Sequence, residues 1–165
     1  DEKDRVYYCI ARDNTENKKA ELQLENSERR FKTLVQESSD IISISDLEGN
    51  FKYVSPSSKN VIQISSEELI GKNAFDYVHP DDTEQVLKSF SLISEQKSVQ
   101  IAPFRFKNKL GEWRWFVANV SNQLNAPTIE GVIVTARDIH ETLQAKEQLI
   151  QSERRFNTTS IYKTV

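Results

Sequence analysis

The sequence of 165 residues predicts an α+β fold: a five-stranded antiparallel sheet with short helices and one long helix on one face, flanked by N- and C-terminal connector helices. Two short strand-like runs precede a helical middle, and three further strand-like runs follow it. Both flanking segments are rich in helix-forming residues and contain neither Pro nor Gly. The content of 37% apolar and 28% charged residues is typical of a globular domain.

A hairpin opens the domain. Residues 41–45 are mostly β-branched and predict a first strand, and residues 51–54 predict a second strand after a turn at 46–50. Pro56 then begins a series of short helical pieces, because its fixed φ suits a first helical turn. These features predict two paired strands that lead into the helical middle.

Residues 81–95 predict the longest helix inside the domain. Asp81 and Asp82 stand at its start, where carboxylates accept hydrogen bonds from free backbone N–H groups and complement the helix dipole. Four apolar residues at helical spacing predict one buried face: Val86, Leu87, Phe90 and Ile93.

The last part of the domain is predicted to be strand. Residues 99–107 and 112–124 flank a turn that ends at Gly111, and residues 131–137 form a third run. Along 112–124, alternate residues face opposite sides of the sheet, and both sets are partly apolar. One face is therefore predicted to cover the helices and any cavity, and the other to meet a connector helix or a second subunit.

An internal repeat sets the predicted domain boundaries. Residues 11–31 and 136–156 are identical at 12 of 21 positions, which indicates common descent. The offset is far longer than a solenoid repeat and equals one domain plus a connector, so we predict this domain type in tandem within a longer protein. The predicted organisation is a remnant strand of a preceding domain at 1–13, a connector helix at 14–36, the domain at 37–138, a second connector helix at 139–156, and the start of a next domain or a disordered tail at 157–165.

Each copy of the repeat carries a stripe of small and apolar residues at alternating spacings of four and three. That spacing is typical of a short coiled coil, and so few heptads need a partner helix. A parallel homodimer is one interpretation, and an amphipathic helix packed on its own domain is the other. The stripe comprises Ala20, Leu24, Ser27, Phe31 and Leu34 in the first copy and Ala145, Leu149, Ser152 and Phe156 in the second.

Five motifs between residues 27 and 141 occur in the order found in PAS domains of bacterial and archaeal sensory proteins. They are residues 45–56, 65–72, 79–82, 104–115 and 136–141. This part of the chain therefore resembles a PAS domain. The sequence departs from the family pattern at Leu110, where an acidic residue is usual, at Gln63, where Gly is usual, and at Ser55, where Asn is usual.

The resemblance implies a sensory input module of a larger cytoplasmic signalling protein. Such modules most often serve sensor histidine kinases of two-component phosphorelays, and less often diguanylate cyclases. The family's exit motif passes strain from the sheet into the following helix, and here it matches Ala136, Arg137 and Asp138.

No arrangement of residues predicts catalysis in this chain. His79 and His140 are the only histidines, and neither belongs to a nucleophile–base pattern. The four glycines do not form a phosphate-binding loop. His79 with Asp81 and Asp82 has metal-binding chemistry, but helix capping is the favoured interpretation. The sequence therefore predicts neither an enzyme nor a metal site.

The sequence lacks the residues to which the family's known cofactors attach. Light-sensing relatives place a reactive Cys directly after Gly-x-Asn, whereas Ala74 follows Asn73 here and the domain contains no Cys. Haem needs an axial His, Cys or Met, and the long helix has none. We predict no cofactor, which leaves an unidentified small molecule as the one open ligand.

A cavity between sheet and helices is the predicted place for that molecule. Arg105 and Asn119 are expected to supply its polar contacts. Its predicted apolar lining is Ile42, Ile44, Tyr53, Ile62, Leu69, Phe75, Phe90, Phe104, Trp115 and Val134. Alternatively, these residues simply fill the core of a ligand-free dimerisation or spacer module.

The charge and hydropathy of the chain narrow its partners. A net charge of −3 leaves no electrostatic footprint for nucleic acid or an acidic membrane surface, and no apolar run reaches the roughly 18–20 residues of a membrane span. The single Cys9 fits a reducing, cytoplasmic setting, with an anchor elsewhere in the longer protein left open. The expected partners are a second copy, bound through the connector helices and the outer sheet face, and neighbouring PAS and output domains.

Overall fold

The computed structural model describes residues 15–36 and 38–161. The described residues fall into two compact units, divided between residues 34 and 35. Residues 15–34 of helix α1 (Thr15–Gln36) are the described part of the first unit, and the predicted bounds of the connector at 14–36 stay a prediction. The predicted strand remnant at 1–13 lies outside the described residues.

The second unit contains the predicted α+β architecture, and the five-stranded antiparallel sheet is confirmed. The strand order is β2-β1-β5-β4-β3, so the first and last strands along the chain become neighbours in the middle of the sheet. The elements are β1 (Asp40–Ser45), β2 (Phe51–Val54), α2 (Ser58–Val61), α3 (Ser66–Leu69), a 3-10 helix (Ala74–Tyr77), α4 (Pro80–Ser91), a 3-10 helix (Leu92–Ser94), β3 (Ser98–Lys107), β4 (Trp113–Gln123), β5 (Gly131–Asp138) and α5 (His140–Ile161).

The register of the strands decides which residues face the helices. In β1, Ile41, Ser43 and Ser45 are buried and alternate with half-buried residues. Ser43 pairs with Val54 of β2 and with Val134 of β5, so these three lie on one face, which we call the inner face. The opposite residues, Ile42 and Ile44 among them, form the outer face. Helices α2 to α4 cover the inner face, where the hydrophobic core is built.

The core is continuous from the sheet to helix α4. Three of its side chains, Ile93, Val120 and Val132, are fully buried, and Phe116 of β4 is 1% exposed. In α4, Val86 and Phe90 are buried as predicted, but Leu87 is exposed. The apolar stripe of α4 is therefore narrower than its sequence indicates.

The start of α4 differs from the expectation. His79, not either aspartate, caps the helix: its Nδ1 accepts a hydrogen bond from the N–H of Asp81 at 3.2 Å, and Pro80 occupies the first helical position. Asp82 accepts hydrogen bonds from both the backbone and the guanidinium of Arg105 on β3. The prediction that Asp81 and Asp82 cap the helix is therefore wrong, because His79 accepts the free N–H and Asp82 pairs with Arg105 of β3.

One departure from the family pattern has a structural consequence. Gln63 has φ +62°, a left-handed conformation that costs a residue with a Cβ roughly 1–2 kcal/mol. Glycine, the usual residue at this position, adopts it without that cost. A second departure is Ser55, which stands where Asn is usual. Its Oγ accepts the N–H of Ile42 at 2.9 Å and lies 2.6 Å from Ser57 Oγ.

Helix α5 continues to Ile161, beyond the predicted end of the connector at residue 156. Its side chains are described as far as Arg155. Residues 15–31 of the first copy and 140–156 of the second are therefore helical, as expected from their composition, whereas residues 136–138 of the second copy end strand β5.

Candidate functional site

A cavity of about 80 Å³ lies between the inner face and the helices. The sheet contributes Ile41, Ser43, Ser45, Phe104, Phe116, Ala118, Val134 and Ala136, among others, to its wall. The helical side contributes Ile62, Leu69, Phe75, Val86 and Phe90. The wall is apolar apart from the two serines, so the cavity favours an apolar occupant.

Small side chains on the inner face leave this space open. Ser43, Ser45, Ala118 and Ala136 all line the cavity from the three central strands. A larger side chain at any of these positions would occupy part of the space. The cavity is thus a consequence of side-chain size on one face of the sheet.

Gly49 shapes another part of the wall. It lies in the β1–β2 turn with φ +85°, and a Cβ at this position would collide with the ring of Phe75. The ring packs in turn against Phe90 of α4, edge to face, with 5.3 Å between ring centroids. The absence of a Cβ at Gly49 therefore allows the Phe75–Phe90 pair to pack directly against the turn.

Half of the predicted lining residues lie where the sequence placed them. The structure brings six of them together around the cavity: Ile62, Leu69, Phe75, Phe90, Phe104 and Val134. Whether they bind a ligand stays a prediction.

The other six predicted residues lie on the outer face. They are Ile42, Ile44, Tyr53, Arg105, Trp115 and Asn119, and the pairings of Ile44 with Tyr53 and of Arg105 with Trp115 place them there together. The prediction turned the larger apolar residues of β1 and β4 inward. Because side chains alternate with a period of two, a choice shifted by one residue moves a whole strand to the wrong face. The inward serines Ser43 and Ser45 gave no hydrophobic signal.

Arg105 is committed to an ion pair and makes no cavity contact. Its Nε donates to Asp82 at 2.9 Å, and its guanidinium lies 5.4 Å from the ring centroid of Trp115. The hydrogen bonds from Arg105 hold the pKa of the Asp82 carboxyl below its ordinary value, and the carboxylate raises the pKa of Arg105. These contacts fix α4 against β3. Arg105, which was predicted to contact a ligand, therefore has a structural role instead.

The sheet-to-helix junction is built around Asp138, the last residue of β5. Its Oδ1 accepts the N–H of His140 at 2.8 Å, in the manner of a helix cap, and its Oδ2 accepts Nε of Arg114 at 2.6 Å. Trp115 adds a backbone hydrogen bond, because its carbonyl oxygen accepts the N–H of Ile139 at 2.9 Å. Two consecutive residues of β4 therefore hold the first turn of α5.

The other two predicted exit residues face opposite sides of β5. Ala136 lines the cavity, whereas Arg137 is exposed on the outer face and pairs with Asp40 of β1 at 2.9 Å. Ala136 is thus two residues from Asp138 and on the same face of the strand. The cavity wall and the cap of α5 belong to one short stretch of backbone.

The predicted coiled-coil residues have exposed side chains wherever the structure describes them. In α1, Leu24 and Phe31 are 61% and 68% exposed, and Ala20 is exposed as well. In α5, Leu149 is 61% exposed and Ala145 is exposed. The side chain of Phe156 lies outside the described residues. Each helix therefore presents an apolar stripe that its own side chains leave open.

The described side chains contain no cluster of three or more His, Cys, Asp or Glu that would hold a metal ion. His79 caps α4 and lies edge to face against Trp113, with 4.6 Å between ring centroids. In the part of the chain that the structure describes, no helix is long and apolar enough to cross a membrane.

Comparison with known proteins identifies the domain. Residues 51–128 match the family model described as the PAS fold. The domain belongs to the PAS family. The structure is also similar to the PAS domain of an HTR-like protein from Haloarcula marismortui, with a TM-score of 0.63 and 20% identity over 74% of this chain and 99% of that one. That similarity shows the same fold.

Two curated relatives contain matching PAS segments. Sporulation kinase A of Bacillus subtilis is 30% identical over 151 residues, covering 86% of this chain and 23% of that protein. A blue light receptor of Aspergillus flavus is 32% identical over 90 residues, covering 54% of this chain and 10% of that protein. The chain thus spans less than a quarter of either relative. PAS domains are in general non-catalytic sensory modules, and this one is a PAS sensory domain.

Proposed function

We propose that this chain is the signal-transmitting PAS module of a cytoplasmic multidomain protein, a sensor histidine kinase of a two-component system that carries PAS domains in tandem. The module senses a small ligand or a partner and relays the change through its connector helices. The observation that carries the proposal is the position of Asp138, whose carboxylate accepts the N–H of His140 at the start of α5, while Ala136, two residues earlier on the same face of β5, lines the cavity.

The proposed relay involves only β5, Asp138 and the first turn of α5. An occupant that pushes on Ala136 or Val134 displaces β5, because both side chains stand on its inner face. Asp138 moves with the strand and alters its hydrogen bonds to Arg114 and to the N–H of His140. The first turn of α5 then tightens or frays, since an N-cap stabilises a helix by about 0.5–2 kcal/mol.

Substitution of Asp138 tests the relay. Asp138→Ala removes both the cap and the ion pair, so amide hydrogen exchange in the first turn of α5 should accelerate about tenfold. In the longer protein the same change should uncouple autophosphorylation from its stimulus. Arg114→Gln should weaken the coupling but keep the cap. The control is Glu68→Gln, which breaks the exposed ion pair to Lys109 at 2.9 Å far from the junction. A stimulus response that survives Asp138→Ala would contradict the proposal.

The histidine-kinase setting is supported by the length of the segment that matches one relative. The match to sporulation kinase A covers 86% of this chain, more than the sheet and its helices alone occupy. A diguanylate cyclase is the alternative setting. Assaying the longer protein for autophosphorylation and for cyclic dinucleotide synthesis separates the two, and synthesis without autophosphorylation would contradict the kinase setting.

A homodimer through the connector helices and the outer face is the second part of the proposal. The stripes on α1 and α5 are exposed, and Ile42, Ile44 and Trp115 add apolar surface to the outer face. Leu149→Glu should therefore lower the dimer fraction in sedimentation experiments at least tenfold. Leu110→Glu is the matched control, because Leu110 is equally exposed in the β3–β4 turn. Equal masses for both variants would contradict this interface.

A ligand-free spacer is the second candidate function. It is favoured by the fact that most of the cavity-lining side chains also belong to the hydrophobic core or pack against it. Ala118→Val narrows the cavity without adding a polar group. If the variant folds and the output of the longer protein still responds normally to its stimulus, the spacer is the better description.

A further inference from the structure

We infer that the cavity takes a small uncharged molecule with an apolar body and one hydrogen-bonding group, such as a short-chain alcohol, anchored on Ser45. The inference rests on the proposed sensory function and specifies the chemical class of the occupant. Size, polarity and one unpartnered hydroxyl each restrict that class.

The volume sets the size of the occupant. An apolar cavity of roughly 150 Å³ accommodates benzene, and the present cavity has about 80 Å³. In proportion, it holds on the order of three to five non-hydrogen atoms. A bicyclic aromatic molecule would require the core to open.

The wall excludes a charged occupant. Within the described residues, no ionisable side chain lines the cavity. An ion moved from water into such a wall would lose its hydration without gaining a counter-charge, which is very unfavourable. Acids and amines of the right size are therefore poor ligands in their charged forms.

Ser45 supplies the polar anchor. The residue lines the cavity, is 2% exposed, and its Oγ has no hydrogen-bond partner among the described residues. A buried hydroxyl without a partner is unfavourable, and it is able both to donate and to accept. A ligand hydroxyl or carbonyl within reach of Ser45 would satisfy it. Water is a less favourable occupant than an alcohol, because Ser43 and Ser45 supply only the minimum of the two to four polar partners that a buried water needs, and the rest of the wall is apolar.

The test is a titration of the whole chain with 1-propanol, followed by amide chemical shifts in NMR. We expect saturable shifts at Ser45, Ala118 and Ala136, with a dissociation constant no lower than roughly tens of micromolar for a ligand of this size. Propanoate, the charged match of the same carbon chain, should bind at least tenfold more weakly. Ala118→Val should abolish the saturable shifts by filling the cavity.

Ser45→Ala tests the anchor, and Ser39→Ala, at an exposed serine, is its matched control. The first variant should weaken 1-propanol binding about five- to tenfold, the factor expected for one hydrogen bond, and the second should not change it. Equal affinity in Ser45→Ala, propanoate binding as tightly as 1-propanol, or benzyl alcohol binding more tightly would each overturn the inference.

These experiments distinguish a failure of the proposed relay from a failure of the inferred ligand class. If 1-propanol binds as expected while amide exchange in α5 is unchanged, the relay is wrong and the inference stands. If Asp138→Ala uncouples the longer protein but no saturable 1-propanol shifts occur, the relay stands and the inference is overturned.

Discussion

Around the cavity, the two faces of the sheet differ in the size of their side chains. On the inner face of β1 lie Ser43 and Ser45, while the outer face carries Ile42 and Ile44. β5 places Ala136 on the inner face, and β4 places Trp115 on the outer one. A sheet that only needed a filled core would turn its larger apolar residues inward. Here Ser43, Ser45 and Ala136 leave a cavity beside large buried side chains such as Phe116, and the large residues of the outer face remain available for a surface contact.

Truncating one aromatic residue on each face gives the largest expected contrast. Phe116→Ala should lower the free energy of unfolding by about 3–5 kcal/mol, because Phe116 is 1% exposed at the centre of the core. Trp115→Ala should cost the monomer less, about 1–2 kcal/mol, since its ring is only partly buried on the outer face. Urea unfolding at low protein concentration measures both values. Equal losses would mean that the outer face is as well packed as the core.

The ion pair at the rim of the outer face gives an intermediate effect that depends on pH. Asp82→Asn should cost about 1.5–3 kcal/mol at pH 7, because Asp82 accepts charge-assisted hydrogen bonds from Arg105 and its side chain is 15% exposed. Folding lowers the pKa of Asp82, so its stabilisation is fully present above the unfolded value of about 3.9 and is lost as the pH falls through the lower folded value.

Unfolding free energies of wild type and Asp82→Asn at several pH values check this prediction, and the difference should shrink only below about pH 4. Asp81→Asn is the control, since Asp81 contacts the same arginine at 3.3 Å but is 73% exposed. It should change stability by less than about 0.5 kcal/mol. A pH-independent difference for Asp82→Asn would show that the charge is not what stabilises this contact.

Two buried serines provide the smallest and sharpest comparison. Ser45→Ala removes a hydroxyl without a partner, so stability should stay constant or rise by up to about 1 kcal/mol. Ser57→Ala removes a hydroxyl that donates to the carbonyl of Asp40 at 2.9 Å and should cost about 1–2 kcal/mol. Thermal unfolding in the absence of ligand distinguishes the signs. A loss at Ser45 as large as that at Ser57 would mean that its hydroxyl is satisfied.

The sequence predicted the elements of the fold well, because each carries a local signal. The serine-rich stretch after β2 and the motifs around Gly111 and His79 fix the order of strands and helices through turn and cap chemistry. The cap itself was assigned to the wrong residues. Several polar residues near a helix start can all accept its N–H groups, and only the position of Arg105 on β3 draws Asp82 away.

The cavity was predicted less completely, for a reason that lies in the strands. Helical lining residues such as Leu69, Phe75 and Phe90 were found, because an amphipathic helix has one apolar face. For β1 and β4, both faces contain apolar residues, and hydrophobicity alone favours Ile42 over Ser43 and Trp115 over Ala118. The parity of a strand depends on its neighbours, so no local signal settles it.

The sequence by itself determined the type and order of the elements, the repeat that flanks the domain and its membership of the PAS family, since these depend on local propensity and on motif order. Only the tertiary structure decided which face of each strand meets the helices, because that choice depends on pairing between segments as distant as β1 and β5. It also decided that Asp138 joins the sheet to α5, since Arg114 reaches it only once β4 and β5 are paired.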